Sequence, residues 1–516
     1  MSNINKRGVA IIDFGSQYTQ LIARRIREFD VFSEIFSPED AIENILKNDP
    51  KAIILSGGPS SIFKSEAPNF DHNILDLKIP ILGICYGLHI LIHHAGGLVK
   101  SNGVGEYGFA DITIKGNSKL FKGIKKSTSV WMSHMDQVLE VPGGWSIEAT
   151  SSNSIIASIV NKDKNRYATQ FHPEVSHTKE GTQLLRNFIF SVSKCASNWS
   201  ANNLIENQIL KIRETVQDDN VLIGVSGGVD SSVVAAIMHK AIGGQCKAVM
   251  IDHGLLRKNE GIECETFLRD GLGIDITVYD ESEIFLSKLN NVSDPEEKRK
   301  IIGNQFIYSF DDIANKAGEF KYLAQGTLYP DVIESGISKG KKAHLIKSHH
   351  NVGGLPKNMK FKLIEPLRDL FKDEVRKLGK ELGLSPRLVD RHPFPGPGLG
   401  VRIVGKINKN RVSILQEADA IYMKILQDQN IYNDIWQAFA VLIPVKTVGV
   451  MGDQRTYEYL LALRAVTSID GMTADWFRMP DDILAKISTE IINNVKGINR
   501  VVYDITSKPP GTIEWE

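Results

Sequence analysis

Apolar runs of strand length, each followed by a helix-like pattern, recur along this chain and leave it few architectures. They lie at 9–13, 52–55, 79–84, 221–225 and 247–251. Strands alternating with helices build parallel sheets of the α/β kind. At 516 residues the chain is too long for one ordinary core, and length alone suggests about three domains. The first series closes near Phe171, with a final helix at 184–192, and the polar stretch 197–203 marks a boundary near residue 200. Pro393-Phe394-Pro395-Gly396-Pro397-Gly398 marks a second, because it can neither continue a helix nor sit in a central strand. Beyond it, helical (411–428) and strand-like (446–450, 500–505) segments mix. The expectation is two parallel-sheet α/β domains, 1–199 and 200–391, followed by a small α+β domain, 392–516.

Composition narrows the class of partner. Lys plus Arg and Asp plus Glu number 61 each, so no global field draws the chain to nucleic acid or an anionic membrane. Any anionic ligand must be held by local geometry. No apolar run approaches the roughly 20 residues that span a bilayer, and the polar start predicts no secretory signal. Cys85, Cys195, Cys246 and Cys264 form no CxxC pair, so neither a disulfide framework nor a zinc site is indicated. A cytoplasmic protein is expected.

The third run ends in Gly83-Ile84-Cys85-Tyr86-Gly87, and a helical pattern resumes over 88–94. Cys85 therefore falls on a strand-to-helix turn flanked by glycines, a nucleophile elbow with cysteine in the serine position. The helix that follows points N–H groups at the sulfur, which favours thiolate. Such a nucleophile needs a base and a group to orient that base. In Gln170-Phe171-His172-Pro173-Glu174, residues two apart project to one side of an extended chain. Glu174 can then accept from one nitrogen of His172 while the other faces Cys85. A lone cysteine is more often a buried structural residue; the glycines together with His-x-Glu reverse that reading.

On these residues the segment 7–192 resembles the class I (triad) glutamine amidotransferases. The resemblance implies Cys85 as nucleophile, His172 as base and Glu174 as orienter. It also implies Ser56-Gly57-Gly58-Pro59 as the oxyanion segment, with the backbone N–H groups of Gly58 and Tyr86 on the tetrahedral oxygen. His89 stands where that family usually has glutamine, and Met135, in Ser133-His134-Met135-Asp136, where glycine is usual.

The run 221–225 leads into Ser226-Gly227-Gly228-Val229-Asp230-Ser231-Ser232 and a helical stretch, 231–239. Backbone N–H groups at a helix start bind phosphate without a charged side chain. The serine hydroxyls add donors, and Asp230 could orient the loop or sit near Mg²⁺. The turn alone could be an ordinary capped βα connection. The full string is more selective and resembles the PP-loop of ATP pyrophosphatases, which cleave between the α and β phosphates. No Gly-Lys-Ser/Thr is present, which argues against γ-phosphoryl transfer. Within 325–335, Asp331 and Glu334 bring carboxylates to a turn after a strand, candidate Mg²⁺ ligands. The basic stretch 338–342 and Lys347-Ser348-His349-His350-Asn351 suit a lid over developing negative charge, with Lys347, His349 and His350 as its contacts, or equally a solvated loop.

A thiol site joined to an ATP-splitting site implies that one makes what the other consumes. The segment 391–402, Val450-Met451-Gly452-Asp453 and the terminal Lys508-Pro509-Pro510-Gly511-Thr512-Ile513-Glu514-Trp515-Glu516 resemble the glutamine-hydrolysing GMP synthetase family, and the likeness spans the chain. Gln454 stands where glycine is expected. The resemblance implies glutamine, ATP with Mg²⁺, and XMP as substrates, and a homodimer built through the C-terminal domain. That domain would also help bind XMP, with Lys508 and Glu514 as ligands for phosphate and base. A tail poor in core-forming residues predicts that its loss acts on XMP binding more than on stability. Two alternatives keep parts of this reading. A different carbonyl acceptor, such as a tRNA base or deamido-NAD, would use the same sites, although the charge balance weighs against tRNA. A regulatory protein would retain ligand sites without turnover, against which the intact motifs weigh.

Overall fold

The structure, a computed structural model, describes residues 7–40, 42–58, 61–64, 67–337, 361–451, 453–468 and 473–516. The chain divides into two compact units, Met1–Asn207 and Gln208–Glu516. The division falls inside the helix Ala201–Val216, just past the polar stretch 197–203.

The first unit is built on a nine-stranded sheet of β1 (Val9–Ile12), β2 (Ser33–Phe36), β3 (Ala52–Leu55), β4 (Ile81–Ile84), β5 (Leu98–Ile114), β6 (Ser127–Glu140), β7 (Ser146–Ser151), β8 (Ile156–Asn161) and β9 (Arg166–Thr169). Their order is β2-β1-β3-β4-β9-β8-β7-β5-β6. The run from β2 to β9 is parallel, and the rest pair antiparallel. Every residue of β1, β3 and β4 is buried, as unbroken apolar strands covered on both faces require. None of the apolar runs named from sequence lies between 84 and 171, yet β5 to β9 do, so this sheet is mixed and not wholly parallel. In β6 buried and exposed residues interleave, the mark of a sheet with one wet face and no continuous apolar run. The expected helix at 184–192 is in fact Gly181–Arg186, continued by a wider π-helical stretch, Asn187–Val192.

The second unit holds a five-stranded parallel sheet of β10 (Val221–Val225), β11 (Cys246–Asp252), β12 (Ile276–Asp280), β13 (Tyr322–Ala324) and β14 (Lys362–Ile364), ordered β12-β11-β10-β13-β14. The chain steps outward from β10 to β12 and then returns to the other side of β10. That reversal opens a crevice at the carboxyl ends of β10 and β13, where ligands bind in open α/β sheets. A further sheet contains the long antiparallel hairpin of β15 (Gln437–Met451) and β16 (Gln454–Thr467). On β16, β17 (Asp475–Trp476) pairs antiparallel and β18 (Ile498–Tyr503) parallel. The helices Lys409–Asp428 and Asp481–Asn494 bury their apolar sides, including Leu415, Tyr422, Ile487 and Ile491. One contiguous core runs from Leu222, Val249 and Leu323 of the parallel sheet to Leu399, Leu415, Leu461 and Ile487.

Candidate active sites

Three neighbouring parallel strands, β3, β4 and β9, deliver the residues of the first site from their carboxyl ends. Cys85 follows β4 directly and adopts φ 51°, ψ −99°, a positive-φ conformation that a side chain occupies only under constraint. Both flanking glycines are required by close approach. A Cβ on Gly83 would lie 2.5 Å from the Gly87 carbonyl oxygen, and one on Gly87 would lie 2.4 Å from that of Leu55. The helix Tyr86–His94 starts at once, with Tyr86 through Ile92 buried. The Gly87 N–H donates to the Ser56 carbonyl (3.1 Å), and those of Leu88 and His89 turn back to the Cys85 carbonyl (3.1 and 3.3 Å). Among the described residues no acceptor takes the N–H of Tyr86 or of Gly58. Gly58 packs its backbone against the Tyr86 ring, where a Cβ would come within 3.2 Å of Cγ.

His172 and Glu174 follow β9. The His172 Nδ1 lies 2.7 Å from Glu174 Oε1, and both side chains are buried. The His172 N–H donates to the Trp131 carbonyl at 3.0 Å, and its own carbonyl accepts from Thr178 Oγ1 at 2.6 Å, so the backbone that carries the ring is pinned to β6. Burial alone would lower the His172 pKa. The Glu174 carboxylate and the hydrogen-bonded Cys85 side chain outweigh it and hold the imidazole well above its usual range. The other three cysteines are inert by comparison. Burial pushes the Cys195 and Cys246 thiols up to about 12 and that of Cys264 to about 11.

At the second site, β10 ends at Val225, and the helix Val229–Ile242 begins after a turn through Gly227 at φ +74°. The loop is laced by its own hydroxyls. Ser231 Oγ accepts from the Ser226 N–H (3.1 Å), and both Ser231 and Ser232 donate to the Gly228 carbonyl (3.1 and 3.0 Å). Among the described residues a Cβ on Gly228 would meet only Ser226 Oγ, at 3.4 Å, which leaves the face of the turn beside it open to them. Arg391 donates from Nη1 to the Gly227 carbonyl at 3.0 Å and pairs with Glu260. Asp230 forms an ion pair with Lys372 through Oδ2, while its Oδ1 is buried without a hydrogen-bond partner among the described residues. Gly326, just past β13, lies against this loop, where a Cβ would sit 3.3 Å from that of Asp230.

The remaining predicted residues are placed as follows. Asp331 accepts from the Leu328 N–H at 3.0 Å in the first turn of the helix Tyr329–Ile337, which also carries Glu334. Among the described residues no group of three or more His, Cys, Asp or Glu is arranged to hold a metal ion. Lys347, His349 and His350 lie outside the described residues. Lys508 pairs with Ala474 through backbone hydrogen bonds of 2.8 and 3.1 Å. Glu514 accepts from Arg402 (2.8 and 3.1 Å) and Gln437 (2.7 Å). Glu516 pairs with the buried Lys298 and accepts from the Gly405 N–H at 2.9 Å. Ile513 is buried, so the tail is tied into the fold.

Comparison with known proteins agrees with this layout. Residues 10–192 match the model of class-I glutamine amidotransferases, 202–305 that of NAD synthase, and 424–515 that of the GMP synthase C-terminal domain. Over 515 residues, and all of both chains, the sequence is 54% identical to GMP synthase (glutamine-hydrolyzing) of Brachyspira hyodysenteriae. It is 53% identical to that of Bacillus licheniformis over 516 residues, again all of both chains. It is also 53% identical to that of Aquifex aeolicus over 513 residues, which cover 99% of this chain and 100% of the relative. The chain belongs to the glutamine-hydrolysing GMP synthase family.

Three residues of this GMP synthase family member are given no site role by the sequence motifs. Gln170, the first residue of the string that carries His172, donates from Nε2 to Cys85 Sγ at 3.8 Å. Lys372 and Arg391 reach the loop 226–232 from positions 142 residues after Asp230 and 164 after Gly227. Gln170 could have been found from its place beside the motif; no local spacing points to the other two.

Proposed function

We propose that this chain makes GMP from XMP, using glutamine-derived ammonia and ATP and releasing AMP, pyrophosphate and glutamate through an adenylyl-XMP intermediate. The observation that carries the reading is the presence, on one chain, of the Cys85–His172–Glu174 constellation and a phosphate loop without a kinase-type lysine. Cys85 attacks the side-chain amide carbon of glutamine, and the N–H groups of Gly58 and Tyr86 receive the oxyanion. The proton held on His172 goes to the departing nitrogen. Water then cleaves the thioester to glutamate. In the second unit the C2 oxygen of XMP attacks the α-phosphorus of ATP, and pyrophosphate leaves into the loop Ser226–Ser232. AMP is a far better leaving group than the oxygen it replaces, so ammonia can displace it. Ammonium has no lone pair for that attack, so the ammonia must arrive unprotonated and shielded from bulk water.

Mg²⁺ fits the donors at this loop. Among the described residues the Oδ1 of Asp230 is a hard oxygen without a hydrogen-bond partner, and Asp331 and Glu334 would complete the set. When bound with ATP, the ion would neutralise charge on the phosphates. Lys347, His349 and His350 would meet the same charge from a lid, and Lys508 and Glu514 would contribute to the XMP site. By role the chain divides into an amidotransferase domain (1–199), an ATP pyrophosphatase domain (200–391) and a C-terminal domain (392–516) that joins two copies in a cytoplasmic homodimer. That last role is supported by the β15–β16 hairpin, where Val448, its cross-strand partner Tyr457, and Val450 are exposed on one face.

The test is acceptor-dependent AMP and pyrophosphate release. XMP, with ATP and either glutamine or ammonia, should support release, whereas deamido-NAD in its place should not. Release with deamido-NAD but not with XMP would overturn the assignment.

A further inference from the structure

Beneath Cys85 lies a polar pair that the thiol chemistry above leaves unused. His89, one helical turn after Cys85, and Gln170, at the end of β9, are 3% and 0% exposed. His89 Nε2 lies 2.9 Å from Gln170 Oε1, and Gln170 Nε2 faces Cys85 Sγ at 3.8 Å. The sulfur's other polar neighbours are the His172 ring and the Ser133 carbonyl at 3.7 Å. A carbonyl oxygen can accept from a thiol but opposes a thiolate. Beside the protonated His172 ring, the Gln170 amide is the neighbour that can favour charge on sulfur, provided its N–H end faces that way.

An amide turned by 180° would present Oε1 to the sulfur and oppose the same charge. The group on the amide's far side decides between the two orientations. Burial lowers the His89 pKa to about 4, against smaller opposing effects of its hydrogen bond to Gln170 and of the Asp136 charge and backbone; the charge of His134 also lowers it. His89 is thus neutral at working pH and carries one ring proton. That proton has two acceptors, the Asp136 backbone carbonyl and Gln170 Oε1; the orientation in which Oε1 faces Nε2 places it on Nε2, and the amide N–H is then left for Cys85.

We propose that His89 is a positioning residue for glutamine hydrolysis, donating from Nε2 to Gln170 and so holding the Gln170 N–H on the Cys85 sulfur. The inference rests on Cys85 being the nucleophile of the function proposed above. It assigns a role to one of the two positions at which the chain departs from the usual amidotransferase pattern.

The test compares the full-length wild type with His89→Leu, which fills the space without a donor, and His89→Gln, whose amide nitrogen can take the place of Nε2. Alkylation of Cys85 by iodoacetamide is followed against pH, with Cys85→Ala as the background for the other thiols. Glutamine kcat and KM, ammonia-dependent synthesis and melting temperature complete the set. His89→Leu should alkylate about tenfold more slowly at pH 7, the scale of one charge-assisted hydrogen bond. Its alkylation midpoint should move to higher pH, and kcat for glutamine should fall more than KM changes. His89→Gln should return toward wild type, and ammonia-dependent synthesis should be unchanged in both. A wild-type alkylation profile in His89→Leu, or a His89→Gln profile as impaired as that of His89→Leu, overturns the proposal. Should His89→Leu fail to fold, His89→Met takes its place under the same criteria. Glutamine hydrolysis by Cys85→Ala would instead sink the nucleophile assignment, whatever His89 does.

Discussion

One sulfur out of four sits in a setting made for chemistry. Cys85 is held at positive φ at a helix start, beside a histidine whose proton is retained by Glu174 and by the sulfur itself. The other three thiols are buried and pushed up to about 11 or 12, so none can substitute for it. In the function proposed above, only the first half-reaction uses this residue. Cys85→Ala should therefore abolish GMP synthesis from glutamine while leaving synthesis from added ammonia at wild-type rate. The two rates, measured on one preparation, decide the matter. Loss of both in a folded protein would count against separable sites. Glu174→Gln should act on the same half alone, because it removes the charge that keeps the proton on His172. Its glutamine-dependent kcat should fall by about 10²–10⁴-fold, in line with loss of general acid–base function, while ammonia-dependent synthesis holds.

Both sites use the same local element, a buried parallel strand that stops at a glycine turn and opens a helix. After β4 the turn presents a sulfur; after β10 it presents N–H groups and hydroxyls. This element was readable in the chain because β4 and β10 are short unbroken apolar runs, Gly83 and Gly87 stand where a Cβ would strike backbone, and Gly227 stands where φ is positive. The antiparallel part of the first sheet was not readable. Strands such as β6 mix buried and exposed positions over 14 residues and form no compact apolar run. The contacts of Lys372 with Asp230 and of Arg402 with Glu514 were equally hidden, joining residues 142 and 112 positions apart. The open face at Gly228 separates function from folding. A valine there meets little protein, yet it fills the space a phosphate must enter to reach the N–H groups. Gly228→Val should melt near wild type, hydrolyse glutamine, and lose XMP-dependent pyrophosphate release. A folded variant with near-normal release would mean that the loop is structural and the nucleotide lies elsewhere.

At the scale of the molecule, the last residues act as a strap on the second unit. The tail's composition predicts that its loss acts on XMP binding more than on stability, but its carboxylates are already engaged. Arg402 and Lys298, both wholly buried, find their acidic partners in Glu514 and Glu516. Arg464, also wholly buried, donates to the Thr512 carbonyl. Ile513 closes a small cluster with Phe439, Val441, Ala462 and Val466. Removing one partner of a buried ion pair typically costs about 3–5 kcal/mol, because the remaining charge stays out of water. Deleting 514–516 leaves two such cations, so it should lower the melting temperature sharply even without XMP. Lys508→Ala leaves those pairs intact and should melt close to wild type, while weakening XMP roughly tenfold or more if its ammonium meets the phosphate. Melting curves and XMP titrations on both variants separate the two roles of the tail. An unchanged melting temperature after the deletion would show that the buried cations find other partners, and the strap would then be incidental to the fold.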